Sequence, residues 1–247
     1  MTASSIIETV VLHLKPGVNL EDAAPESASP AVRAFARLTD TLKAQPGFIR
    51  QFWGHQIEDP RVFAWYIDWD SFEHVTAFTN STHYTSFAAG MADVFDLAAA
   101  APLTMFSRFT ENAFAALTSP VTEVAFFTLP IASRAVAQPM IEHAKLGDHP
   151  VLTVGKSTGG AIAWVFAEKN TAGAVPAGAS IALHGVFGYA AVADHYAWRA
   201  TPEHAQVIAA QDAEPLHKLG LKDDIRMPGG NIFVPDSSMF HVKFRAS

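Results

Sequence analysis

The chain has 247 residues, 49% hydrophobic and 11% aromatic, with a formal net charge of −7 and no cysteine. That length supports one large domain or two small ones with substantial cores. Zero cysteines exclude disulfides, thiolate metal sites and cysteine nucleophiles, and the scattered Lys and Arg argue against a nucleic-acid surface, which needs clustered positive charge.

Met1 to Glu8 lacks the basic region and apolar run of a signal peptide. No stretch approaches the ~20 apolar residues of a membrane span. A soluble, cytoplasmic protein with no membrane contact is expected. Ile6 to Leu14 is β-branched and apolar on both alternating faces, which predicts a strand buried on both sides, with Glu8 on one face. After a polar loop, Ser29-Pro30 opens a helix that runs through Lys43, with Val32, Phe35, Ala36, Leu38 and Leu42 as its apolar stripe. Phe48 to Ile57 and Arg61 to Trp69 read as two strands joined by the turn Glu58-Asp59-Pro60. The second places Phe63, Trp65, Ile67 and Trp69 on one face, an arrangement that reads first as core and second as a substrate wall.

A stretch used twice follows. Asp70 to His83 and Ala191 to His204 each carry an acidic residue before a His, an aromatic on the next turn, and a second His nine residues after the first. Thr201-Pro202-Glu203 is a strong helix start, with Thr as N-cap and Pro at N1. Asn80-Ser81-Thr82 is the equivalent signal. Each copy is therefore a helix that breaks and restarts, with His83 and His204 in the first turn of the new helix. The positive helix end disfavours a protonated imidazole there, which keeps each His available as a base. His74 and His195 fit salt-bridged surface positions. The first restart is expected to continue from Ser81 to about Ala98, and Pro102 to Thr110 is a last strand. The first half is thus β-α-β-β-α-β, a ferredoxin-like unit.

The second half restarts after Ser119-Pro120, and Thr122 to Leu129 lines up with the first strand when Glu123 is set on Glu8. Ile131 to Leu146 reads as a helix and Val151 to Ser157 as a strand. Ala161 to Glu168 and Ser180 to Phe187 are both strands by pattern, one of them without a counterpart in the first half. After the repeated helix comes an irregular stretch around Met227-Pro228-Gly229-Gly230. Ser238 to Phe244 closes the chain and echoes Thr104 to Phe109. Two diverged repeats, residues 1–115 and 116–247, are expected to bury their bare sheet faces against each other. The fold class is α+β: two antiparallel ferredoxin-like sheets with helices outside, forming a pseudo-dimeric barrel within one chain, with a further homodimer left open.

Strand, helix, strand pair and a broken helix with His just after the break resemble the dimeric α/β-barrel superfamily, and within it the antibiotic-biosynthesis-monooxygenase-like branch. Thr201-Pro202-Glu203-His204 and Asn80-Ser81-Thr82-His83 carry the local likeness. The resemblance implies a pocket between each sheet and its own helices, faced by that His. It also implies chemistry without metal or organic cofactor on a hydrophobic aromatic or polyketide-like substrate, by oxygenases or by cyclases. Cyclase-type members enlist a Tyr near the His, but the position six residues earlier is Ala77 in one copy and Trp198 in the other.

The candidate catalytic residues are Glu8 with His83 and Glu123 with His204. A Glu in an apolar strand has its charged form disfavoured, which lifts its pKa toward useful acid–base values. Arg50 is a candidate for stabilising an enolate or phenolate oxygen, and Trp53, Trp65, Tyr66, His184 and Trp198 for lining the substrate site. No His-Glu-x-x-His and no nucleotide-binding glycine pattern is present. The expected function is acid–base cyclisation, isomerisation or dehydration of an enolisable substrate. The alternatives are a cofactorless monooxygenase, and a non-catalytic protein that binds a hydrophobic ligand or haem.

Overall fold

A computed structural model describes residues 5–21, 29–100, 102–109, 112–130, 150–170, 180–205 and 237–246. The chain divides into two compact units, residues 1–106 with 167–172 and 245–247, and residues 107–166 with 173–244.

In the first unit, β1 (Ile6–His13) lies antiparallel to β3 (Val62–Trp69), with Glu8 opposite Ile67 and Ile6 opposite Trp69. β2 (Phe48–His55) pairs with the other edge of β3, and the two-residue strand β9 (Arg245–Ala246) adds to β2 through Phe52 and Trp53. With β4 (Leu103–Ser107) the order is β4-β1-β3-β2-β9. Without β9 that is the ferredoxin-like 4-1-3-2 arrangement.

α1 (Pro30–Lys43) starts where the sequence predicts, with the Ser29 hydroxyl accepting from the Val32 N–H and Pro30 just inside. Its buried face, Ala34, Phe35, Leu38 and Leu42, packs on the even-numbered positions of β1 and the odd-numbered positions of β3. Phe35 meets Trp53, Phe63 and Trp65 at 5.1–5.3 Å between centroids. The aromatic stripe is core. Each such ring removed from water contributes roughly 1.5–3 kcal/mol, and the Trp65 indole satisfies its one polar atom by donating to Gln51 Oε1 at 2.9 Å.

α2 (Phe72–Thr79) and α3 (Thr82–Met91) are the broken helix, each capped by a serine, Ser71 and Ser81. Gly47, at φ +80°, lies beneath this corner, where a Cβ would run into the His74 ring and the Asp70 carboxylate. α3 ends earlier than expected. The chain turns after Met91 so that Phe95 can bridge back to Leu14.

In the second unit, β5 (Val121–Pro130), β6 (Gly159–Asn170), β7 (Ser180–Tyr189) and β8 (Ser237–Val242) stand in the order β8-β5-β7-β6, again 4-1-3-2. Both β6 and β7 therefore have counterparts, β2 and β3. The surplus strand is Val151 to Ser157, which instead forms the short helix α5 (Pro150–Thr153) and a turn. The Ser157 N–H bonds Val151 O rather than a neighbouring strand. Its alternating apolar pattern serves burial of Val151 against Trp198 and Tyr189. A short helix absent from the sequence reading, α4 (Asn112–Leu117), precedes β5, and α6 (Val192–Arg199) is the repeated helix. The expected helix 131–146 and the stretch 227–230 lie outside the described residues. No helix among the described residues is long and apolar enough to cross a membrane.

Candidate functional site

The caps fix how the two copies correspond. Ser71 and Ala191 are the N-caps of α2 and α6, and Ser81 and Thr201 cap the restarts, with Tyr84 N–H on the Ser81 hydroxyl and His204 N–H on the Thr201 hydroxyl. His204 therefore corresponds to Tyr84, not to His83, and His195 to Val75, not to His74. One residue along a helix is a rotation of about 100°. The one-residue difference separates rim from core: His74 is half-buried and paired with Asp70, whereas His195 is buried like Val75.

The structure does not bring His83 to Glu8. His83 is exposed at the second position of α3, and Glu8 Oε2 instead accepts the Trp69 indole N–H at 3.0 Å. Tyr84 lies near enough that the Glu8 charge, after burial, pushes its phenol upward. His204 is half-buried, edge-on to Trp198 at 5.4 Å, and is lowered by burial and by Arg199. Its described contacts are its own N-cap Thr201 and the Trp198 ring of α6.

The other candidates disperse. Arg50 pairs with buried Asp68 at 2.8 Å. Tyr66 is buried on the same sheet face, opposite the one that α1 covers, and burial holds its hydroxyl well above the usual phenol range. Trp53 stacks on Phe63 and carries Arg245 over its ring, and Trp65 is core. His184 is sandwiched between Phe126 and Phe109 at 4.6 and 4.9 Å, on the β7 face opposite Tyr189. Burial lowers it to about 3, a neutral imidazole used as an aromatic filler.

What assembles around Glu123 is a group drawn from four elements. His241 stands directly across from it on β8. Tyr189, two residues beyond its partner Phe187 on β7, donates its hydroxyl to Glu123 Oε2 at 3.3 Å. His195 of α6 places Nε2 3.3 Å from the same oxygen and Nδ1 2.8 Å from His241 Nε2. All four residues are buried. Burial raises Glu123 to about 7 while His241, Tyr189 and Arg199 pull the other way, so the carboxyl changes charge at neutral pH. Beside the carboxylate, burial drives the Tyr189 hydroxyl far upward, so it stays a donor.

With Glu123 ionised, one set of tautomers satisfies both of these His195 contacts. His241 Nε2–H donates to His195 Nδ1, and His195 Nε2–H donates to the carboxylate. The two imidazoles bond each other, so their lone pairs do not converge, and among the described residues no three His, Asp or Glu are set to hold a metal ion.

The sequence reading includes Glu123 but leaves Tyr189 and His241 out of the site and sets His195 on the surface, whereas His195 is buried. The usable signal was the cap spacing, which sets His195 on the buried Val75 position.

Residues 18–90 match the family model described as Antibiotic biosynthesis monooxygenase. An anthrone oxidase-like protein of known structure superposes with a TM-score of 0.63 at 8% identity, covering 100% of this chain and 95% of its own. A protein from Fusobacterium nucleatum subsp. nucleatum, provisionally described as a monooxygenase, gives 0.52 at 9% identity over 100% and 95% of the two chains. Another so described, from Lactobacillus acidophilus NCFM, gives 0.50 at 10% over 99% and 96%. No curated protein matches the sequence. At such identities the structural likeness speaks for the fold alone. Residues 18–90 are thus similar to the antibiotic biosynthesis monooxygenase family, and the chain shares an α+β, ferredoxin-like fold with these solved structures.

Proposed function

We propose that the protein is an acid–base enzyme of the antibiotic-biosynthesis-monooxygenase type, with Glu123 as its base and its working site in the second unit. The observation that carries this is a carboxyl buried among three polar partners and balanced near pH 7. Such a group is costly to bury, and the first unit avoids the cost by setting Trp69 and Val75 where the second sets Tyr189 and His195.

Tyr189 and His195 both bond Oε2, and in this reading Oε1 is the oxygen that exchanges a proton with the substrate. A carbon acid with a pKa lowered by a neighbouring carbonyl or phenol gives its proton to Oε1 and becomes an enolate or phenolate. Tyr189 and His195 hold the carboxyl in place through Oε2, and His241 fixes the His195 tautomer, the role of an orienting third member. An aromatic or polyketide-like substrate fits this chemistry.

The matched family description and the anthrone oxidase-like neighbour support oxygenation as the fate of the carbanion. Dioxygen adds to the carbon, the peroxide takes up a proton, and loss of water leaves a ketone. One oxygen atom goes to product and one to water. Cyclisation or isomerisation from the same anion is the second reading, and it needs no oxygen.

A hydroxylated anthrone serves as the probe. Oxygen uptake with quinone formation, lost in Glu123→Gln, is the expected result. Turnover of an enolisable polyketide analogue that persists under nitrogen would instead support the cyclase reading, and full anthrone turnover by Glu123→Gln would remove Glu123 as the base.

A further inference from the structure

His195 and His241 are almost wholly withdrawn from water, at 2% and 3% exposure, yet the ring beside them is not: Tyr196 is 54% exposed. Its ring lies nearly parallel to the His195 imidazole, 5.6 Å between centroids at 25°, and meets His241 at 5.9 Å and 60°. At the corresponding position of α2 stands Thr76, whose hydroxyl bonds the carbonyl of Phe72 in its own helix. An aromatic ring at this place therefore goes with the buried imidazoles, not with the demands of the helix.

We infer that Tyr196 is a positioning residue that roofs the His195–His241 pair, keeping water from their mutual hydrogen bond and so holding His195 Nε2 on Glu123. A hydrogen bond between two neutral rings is strong where water cannot compete and weak where it can. If water reached Nδ1 of His195, it could take the place of His241, release the tautomer and free the ring to turn from the carboxyl. Among the described residues, the groups that face Glu123 are Tyr189 from β7, His195 and Arg199 from α6, and His241 from β8. Tyr196 adds no charge to that set. It acts by exclusion, and its hydroxyl is dispensable.

The kinetic consequence rests on the base role proposed for Glu123, but the roof itself can be tested without a substrate. In full-length protein labelled with 15N-histidine, long-range imidazole spectra report the tautomer, and solvent exchange of the ring N–H reports access. Wild type and Tyr196→Phe are expected to show one fixed His195 tautomer with slow exchange. Tyr196→Thr, which installs the first unit's residue, is expected to speed exchange roughly tenfold or more and to mix the tautomers. Tyr196→Leu removes the flat ring with less effect on the helix and is expected to match Tyr196→Thr. Exchange and tautomer unchanged in both Thr and Leu variants would overturn the inference, whatever Glu123 does. If exchange quickens while Glu123→Gln retains full turnover, the roof stands and the base assignment falls.

Discussion

The Tyr189 hydroxyl reaches Glu123 across the same diagonal of the sheet on which the Trp69 indole reaches Glu8, at 3.3 and 3.0 Å. The geometry is shared and the consequences differ. A donor to a carboxylate stabilises its charged form, so Tyr189 lowers a carboxyl that burial has raised. Tyr189→Phe is therefore expected to move Glu123 above 7. A base of that kind is then largely protonated at neutral pH. Turnover at pH 7 should fall roughly tenfold, and the acidic limb of the kcat/KM profile should move to higher pH. A limb that stays in place would show that the hydroxyl does not act on the carboxyl.

The same carboxyl makes stability depend on pH. Its folded value, about 7, lies above the ordinary 4.5, so between these values the folded chain holds a proton that the unfolded chain has released. Stability on this account is undiminished below about 4.5, declines as pH rises, and has lost about 3 kcal/mol once pH exceeds 7. Urea unfolding at pH 5 and pH 8 checks this. Wild type should show the loss and Glu123→Gln should not, and equal pH slopes in the two proteins would contradict it.

A histidine series separates the assembled group from the residues singled out in sequence. His195→Ala and His241→Ala remove the orienting chain and are expected to lower kcat roughly 10²-fold or more. His83→Ala removes an exposed ring at the second position of α3 and should leave turnover within about twofold. His204→Ala loses an edge contact with Trp198 and should cost about 1 kcal/mol of stability, seen as a lowered urea midpoint. Inverted results, with His83→Ala the inactive variant, would return the site to the restarted helix of the first unit.

The sheets were readable in sequence because their patterns are long and their punctuation strong. Ser29-Pro30, Glu58-Asp59-Pro60 and Thr201-Pro202 each act through local backbone chemistry that tertiary packing does not override. Val151 to Ser157 misled because a short apolar run says that residues are buried, not whether they are buried as strand or as helix. The site was half-legible. Glu123 is conspicuous as an acid in an apolar strand, but its partners come from β7, α6 and β8, and only the register of those elements brings them together. His195 was obscured by matching His to His between the copies. Matching cap to cap places it inward.

Arg50 offers the contrast of an ion pair expected to act on stability alone. Its Nε donates to Asp68 at 2.8 Å, the Asp68 side chain being fully buried and that of Arg50 40% exposed. Arg50→Ala strips the guanidinium from a buried carboxylate, a change that costs 3–5 kcal/mol when both partners are inside. Water already reaches the arginine and screens the pair, so about 2 kcal/mol is the expected loss. Arg50→Ala with Asp68→Asn should recover part of it, since the amide carries no charge to bury. Urea unfolding of the two variants measures this. Turnover of the folded Arg50→Ala enzyme should match wild type if Arg50 serves only to neutralise the buried Asp68 carboxylate. A drop in kcat with stability unchanged would make Arg50 a substrate contact after all.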